Sequence, residues 1–167
     1  MEEVTKVLLL GDDGVGKTTL LQAYRDGQSP LGDIPVILPN YQKVEEVDEK
    51  KVQIVLWDSA CSHDYDDIRR MSYEGTHWFV FCFALDNKES FKNAYNVWYK
   101  EVFDLAGSAN IALVGLKSDL GTSLGSSILK LRRKLKPRIY AEISVHKNIG
   151  VESFFQTICK AIVHPEK

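Results

Sequence analysis

No stretch of this chain stays apolar for long. The longest such run, Trp78 to Leu85, has eight residues, against about 20 for a helix that spans a bilayer. The opening Met-Glu-Glu is acidic, where a secretory leader would be basic. Cysteine is scarce: the three, Cys61, Cys82 and Cys159, are an odd number without metal-ligand spacing, which argues against a disulfide framework and a zinc site. Neither sign of charge dominates. With 21 basic and 23 acidic residues the net charge is −2, so nothing draws the whole molecule towards nucleic acid and no nucleic-acid partner is expected. Repeats and linkers are missing too, and residues 1–167 are expected to form a single domain. What is present is 44% hydrophobic and 26% charged residues, the balance of a globular protein, on a chain long enough to bury roughly two thirds of its unfolded surface. A cytoplasmic monomer is expected, and its function has to come from local chemistry.

Apolar runs alternate with helical patterns. Val4 to Leu10 reads as a strand ending in glycine, followed by a helix bearing Leu20, Leu21 and Tyr24. Lys51 to Trp57 reads as a second strand, with Tyr41 to Val47 pairing to it through Asp48-Glu49-Lys50. Trp78 to Leu85 and Ile111 to Gly115 are apolar throughout, as in the centre of a covered parallel sheet. One long helix lies between them, starting near Asp86 with Glu89 at capping-box spacing and carrying Phe91, Tyr95, Trp98 and Val102. Val151, Phe154, Phe155, Ile158 and Ile162 form the stripe of a last helix. Asp26 to Asn40 and Ser59 to Arg70 read as irregular. This is an α/β order, and right-handed crossovers collect the loops after the strands at one edge, where ligands bind in such folds.

Gly11-Asp12-Asp13-Gly14-Val15-Gly16-Lys17-Thr18 fits G-x-x-x-x-G-K-[ST] between a strand and a helix. Its glycines let backbone N–H groups and the helix N-terminus face phosphate oxygens. Lys17 is placed to hold the β- and γ-phosphates, and the Thr18 hydroxyl to coordinate Mg²⁺, with Thr19 beside it. Asp58 closes the strand ending in Trp57, from where a carboxylate reaches the Mg²⁺ shell. Leu116-Lys117-Ser118-Asp119 follows another strand. A carboxylate at Asp119 can accept from N1 and N2 of guanine, donors that adenine lacks, while the stem of Lys117 covers the ring face. Ser144 and Val145 are the last candidates near the base.

In this order the pieces resemble a small GTPase of the Ras superfamily, most closely the Rho branch, over nearly the whole chain. Leu56-Trp57-Asp58, Asp64-Tyr65-Asp66-Asp67-Ile68-Arg69 with Met71-Ser72-Tyr73, Phe81-Cys82-Phe83 and Trp98-Tyr99-Lys100-Glu101-Val102 carry the likeness. Ile34-Pro35-Val36 to Asn40-Tyr41 is similar to the Rho first switch. The resemblance implies a P-loop NTPase-type α/β fold, a mostly parallel six-stranded sheet with one antiparallel hairpin and helices on both faces. It implies GTP or GDP with Mg²⁺ as cofactors, and effector or regulator proteins reading about Asp33 to Val47 and Ser62 to Tyr73. Two Rho features are missing. About twenty residues separate Asp119 from Tyr140, too few for the extra helix most Rho proteins insert, and His164-Pro165-Glu166-Lys167 lacks the prenylated cysteine box. Membrane association is therefore expected only if a lipidated tail was removed.

Departures cluster where the resemblance places the nucleotide. Asp13 stands where Rho proteins usually carry glycine, adding a carboxylate beside the γ-phosphate position. Val36 replaces the first-switch threonine and offers no oxygen. Cys61 replaces the second-switch glycine, and Ser62 the water-positioning glutamine, so no catalytic residue of the family is intact. Leu116 replaces the Asn or Thr that opens the base motif, and Ser29 stands near an aromatic that packs on guanine. His63 is the one remaining side chain able to orient water, although a solvated loop histidine is the plainer reading. Cys61 reads as a substituted glycine, there being no basic cluster in sequence to lower its pKa. Lys130, Arg132, Arg133, Lys134, Lys136 and Arg138 read as the solvated side of a helix that buries Ile128, Leu131 and Leu135, with lipid contact as the alternative. The expectation is a guanine-nucleotide-binding signalling protein with impaired or absent hydrolysis. Its rivals are a hydrolysing GTPase switch, supported by Lys17, Thr18 and Asp58, and a nucleotide-free interaction module.

Overall fold

The computed structural model of the chain describes residues 4–33, 39–59 and 65–166. Six strands form one sheet in the order β2-β3-β1-β4-β5-β6: β1 Val4–Leu10, β2 Tyr41–Val47, β3 Lys50–Trp57, β4 Trp78–Ala84, β5 Asn110–Leu116 and β6 Ile139–Glu142. Every pairing is parallel except β2 with β3. The hairpin between those two turns at Asp48 and Glu49, both at positive φ, while Lys50 already pairs with Val47 inside β3.

Alternation along β1 sorts the core onto two faces. Val7 and Leu9 join one cluster with Leu20, Leu21 and Tyr24 of α1 (Lys17–Asp26) and with Phe154, Phe155 and Ile158 of α6 (Val151–Val163). Leu8 and Leu10 join the other, with Phe91, Trp98, Val102 and the Ile128, Leu131 and Leu135 stripe of α5 (Gly125–Leu135). All seven residues of β4 are buried, because helices cover it on both sides. The C-terminal end of α6 is fastened to the hairpin turn, where His164 Nε2 lies 2.6 Å from Asp48 Oδ2.

Three expectations need correction. The helix after β4 starts near Asp86, but its cap is the next residue: α3 (Lys88–Asn93) is capped by Asn87, whose side chain accepts from Ser90 N at 3.0 Å. It does not run as one regular helix. Residues Ala94–Tyr99 form a π segment before a last α turn, α4 (Lys100–Val102). The stretch Ser59 to Arg70 is not wholly irregular either, because α2 covers Asp66–Met71. It hides from hydropathy patterning because Arg69 is its one buried residue, while Ile68 and Met71 are 67% and 79% exposed.

Candidate functional site

The loop after β1 is shaped by a close approach that forbids any side chain at its start. A Cβ on Gly11 would lie 2.3 Å from the Cys82 carbonyl oxygen of the neighbouring β4. The loop then curls to Gly16, at φ 107°, which opens α1. Lys17 is buried, and its Nζ turns back to donate to the Gly11 and Asp12 carbonyls at 2.7 and 2.9 Å. The same lysine thus braces the loop from inside.

Thr18 Oγ1 donates to Asp58 Oδ2 at 2.6 Å. The carboxylate is aimed by its own chain end, since Oδ1 accepts from Ser59 N at 3.0 Å and the Ser59 hydroxyl donates to the Leu9 carbonyl at 2.5 Å. A hydroxyl and one carboxylate are hard oxygen donors of the kind Mg²⁺ takes when substrate phosphates complete its shell. Among the described residues no group of three or more His, Cys, Asp or Glu could hold a metal ion alone.

A cavity of about 340 Å³ adjoins the loop, lined by Val15, Gly16, Thr19, Leu116, Lys117, Asp119, Leu120, Val145 and His146. It falls within the range of small-molecule sites. β1 and β5 end beside it, so it occupies the carboxyl edge of the sheet. Lys117, at φ 59°, donates from Nζ to the Gly14 carbonyl at 2.8 Å and so ties the β5 loop to the β1 loop. Asp119 is half-buried, and its Oδ1 accepts from Ser144 Oγ at 2.8 Å. That bond foremost, then the backbone amide and the nearby His146 and Lys147, holds its carboxyl below the usual carboxylate range. The site therefore presents an ionised acceptor at the wall of an apolar slot.

Of the residues expected from sequence, Val15, Gly16, Thr19, Lys117, Asp119 and Val145 line this cavity, while Gly14, Lys17, Thr18 and Asp58 gather around the loop beside it. Ser144 is fully buried and does not line the cavity; it orients Asp119. Asp13 is exposed. Ser29 donates its hydroxyl to the Val145 carbonyl, and Leu116 Cδ1 would stand 3.7 Å from a Cβ on Gly16, so the loop after β1 packs on it. Val36, Cys61, Ser62 and His63 lie outside the described residues. Sequence reading missed Leu120 and His146, although His146 follows Ser144 by two and extension of that motif would have found it. It also missed the role of Asp12, whose carboxylate accepts from Asn93 and Trp98.

A phosphate-type loop between β1 and α1, an acidic strand end at β3 and a Lys-x-Asp turn after β5 on this sheet order define a GTPase-like site. The Ras family pattern matches residues 6–164, and the chain belongs to that family. Its relatives include GTP-binding protein rho1 of Schizosaccharomyces pombe, 31% identical over 180 aligned positions that cover 97% of this chain and 88% of rho1. GTP-binding protein rhoC of Emericella nidulans is 34% identical over 178 positions, 97% of this chain but 64% of rhoC. GTP-binding protein rho5 of S. pombe is 32% identical over 171 positions, 93% of this chain and 86% of rho5. Within the family the chain is Rho-like.

Proposed function

We propose that this chain is an atypical Rho-like signalling protein that holds GDP or GTP with Mg²⁺ and hydrolyses GTP very slowly or not at all. The observation that carries the nucleotide reading is the convergence, around one cavity, of the Lys17 loop, the Thr18–Asp58 pair and the Ser144-supported Asp119. In it Asp119 accepts from the guanine edge, and Val15, Leu116, Leu120 and Val145 cover the base. Gly14 to Thr18 offer backbone N–H groups to phosphates, while Thr18 and Asp58 supply protein oxygens to Mg²⁺, whose role is to neutralise phosphate charge.

The weak-hydrolysis reading rests on residue chemistry. Ser62 is too short to place water as glutamine does, Cys61 puts a side chain where the family keeps the backbone bare, and Asp13 adds negative charge where an arginine finger would enter. Val36 removes the oxygen that lets the first switch tell GTP from GDP, and a ligand that favours neither state shifts nothing. Partners are proposed to read Asp33 to Val47, which includes the edge strand β2, and Ser62 to Tyr73, where Ile68 and Met71 are exposed. A cytoplasmic location is part of the same proposal; among the described residues no helix is long and apolar enough to cross a membrane.

Denaturing the purified protein and chromatographing the supernatant tests the first half, with guanine nucleotide near one equivalent expected and none refuting it. Single-turnover hydrolysis with Mg²⁺ tests the second, and a rate like that of ordinary small GTPases would make the chain a hydrolysing switch.

A further inference from the structure

The phosphate loop carries two consecutive aspartates, and their surroundings differ. Asp13 is exposed and has no side-chain partner among the described residues. Asp12 has both oxygens occupied: Oδ1 accepts from Trp98 Nε1 at 2.8 Å and Oδ2 from Asn93 Nδ2 at 2.7 Å. Both donors come from the helical stretch between β4 and β5.

The π segment explains how two residues five apart meet one carboxylate. In an α-helix, positions i and i+5 lie well apart around the cylinder. A π turn takes in one more residue, so its i→i+5 spacing brings them onto one side, and Lys100 N indeed donates to the Tyr95 carbonyl. Trp98 is held in turn. It is 5% exposed, and the Arg69 guanidinium stands 5.0 Å from its ring centroid. Asp66 and Glu101 bind that guanidinium at 2.6 and 2.9 Å. Local irregularity, buried aromatic and buried arginine thus all serve to aim two N–H donors at one loop carboxylate.

An aspartate with neither oxygen engaged would be free to swing about its Cβ inside a loop built to receive phosphate, and its charge would repel that ligand. We propose that Asn93 and Trp98 are positioning residues that hold the Asp12 carboxylate out of the phosphate path, so that a loop with two aspartates still accepts a nucleoside diphosphate. This rests on the nucleotide-binding reading above and adds to it the residues that make the loop's charge tolerable.

The test is a mutant cycle read with a fluorescent GDP analogue, alongside thermal unfolding and the indole ¹H–¹⁵N signals of the three tryptophans. Trp98→Phe removes the N–H and keeps a ring; Asn93→Ala changes a half-buried side chain and serves where Trp98→Phe does not fold. Trp98→Phe is expected to weaken GDP binding about tenfold or more, the scale of one hydrogen bond to a charged group. Asn93→Ala should act in the same direction. In an Asp12→Asn background, where the charge is gone, each added substitution should change affinity by less than about twofold. Without nucleotide, Asp12→Asn should shift the one indole signal that Trp98→Phe abolishes. Equal losses in both backgrounds would make the role one of packing and overturn the proposal, as would no loss at all or an unmoved indole signal. A wild-type chain that binds no GDP analogue would instead overturn the nucleotide reading and this proposal with it.

Discussion

Replacing Arg69 by methionine keeps most of the side-chain volume and removes the charge that fastens α2 to the rest of the molecule. The Arg69 side chain is 4% exposed and that of Glu101 16%. Nη2 binds Glu101 Oε1 at 2.9 Å and Nε binds Oε2 at 3.2 Å. Asp66, also on Nη2, is 30% exposed and recovers water when released. Glu101 does not, and among the described residues it keeps the Tyr73 hydroxyl and the more distant Arg70. Breaking a buried pair costs about 3–5 kcal/mol, and the rehydration of Asp66 argues for the lower end, ~3 kcal/mol. For a domain of this size that is a fall in Tm of roughly 6–12 °C. The pH dependence carries a sign. Burial alone would raise the Glu101 carboxyl, but the bonds from Arg69 and Tyr73 outweigh it and hold its pKa below the usual value. A depressed folded pKa contributes stability fully above the unfolded value, about 4.3, which is lost as pH falls through the folded one. The difference between wild type and Arg69→Met, measured by urea unfolding, should therefore be largest near pH 7 and shrink on acidification below pH 4. An equal gap at pH 7 and pH 3.5, or a gap under about 1 kcal/mol at pH 7, would mean that this network is not what holds α2.

Guanine specificity should reside in Asp119: Asp119→Ala should weaken displacement of a fluorescent GDP analogue by about tenfold or more, and equal competition by ATP and GTP against wild type would refute the assignment. Charge-assisted contacts to phosphate exceed neutral hydrogen bonds, so Lys17→Ala should cost more calorimetric affinity than Ser144→Ala, and the reverse order would displace the loop as the main anchor. Wild type should show no acceleration by Rho-type activating proteins, while Val36→Thr, Cys61→Gly and Ser62→Gln introduced together should restore measurable hydrolysis. If the triple variant stays as slow as wild type, the slowness has another cause, and Asp13 becomes the residue to change.

Much of the fold was legible because burial is written plainly in β-rich segments. β4 is apolar at every position since both its faces are covered, and Tyr41–Val47 was bounded correctly by its partner strand and turn. Helix caps were harder. Asp86 and Asn87, one residue apart, can each accept from an amide three residues on, and the cap is Asn87, whose extended φ of −127° lets its side chain reach forward to the Ser90 amide. The grouping of the loop with Lys117 and Asp119 was legible because each is a short run of particular residue types after a strand, and the structure brings them around one cavity. The bonds from Asn93 and Trp98 to Asp12 were not, since they cross more than 80 positions and depend on a π turn that leaves no mark in hydrophobic periodicity.

The contact between His164 and Asp48 marks where the C-terminal helix delivers the chain. The hairpin turn precedes β3, so it stands at the edge of the sheet where the parallel strands begin, and the cavity lies where they end. Val4, at the start of β1, is at that same far edge. A fluorophore, affinity handle or surface linkage fused after α6 would sit on the side away from Asp119 and Lys17. Molecules immobilised through that end would all present the cavity outward, which makes tethered, surface-based measurement of nucleotide exchange geometrically clean for this protein.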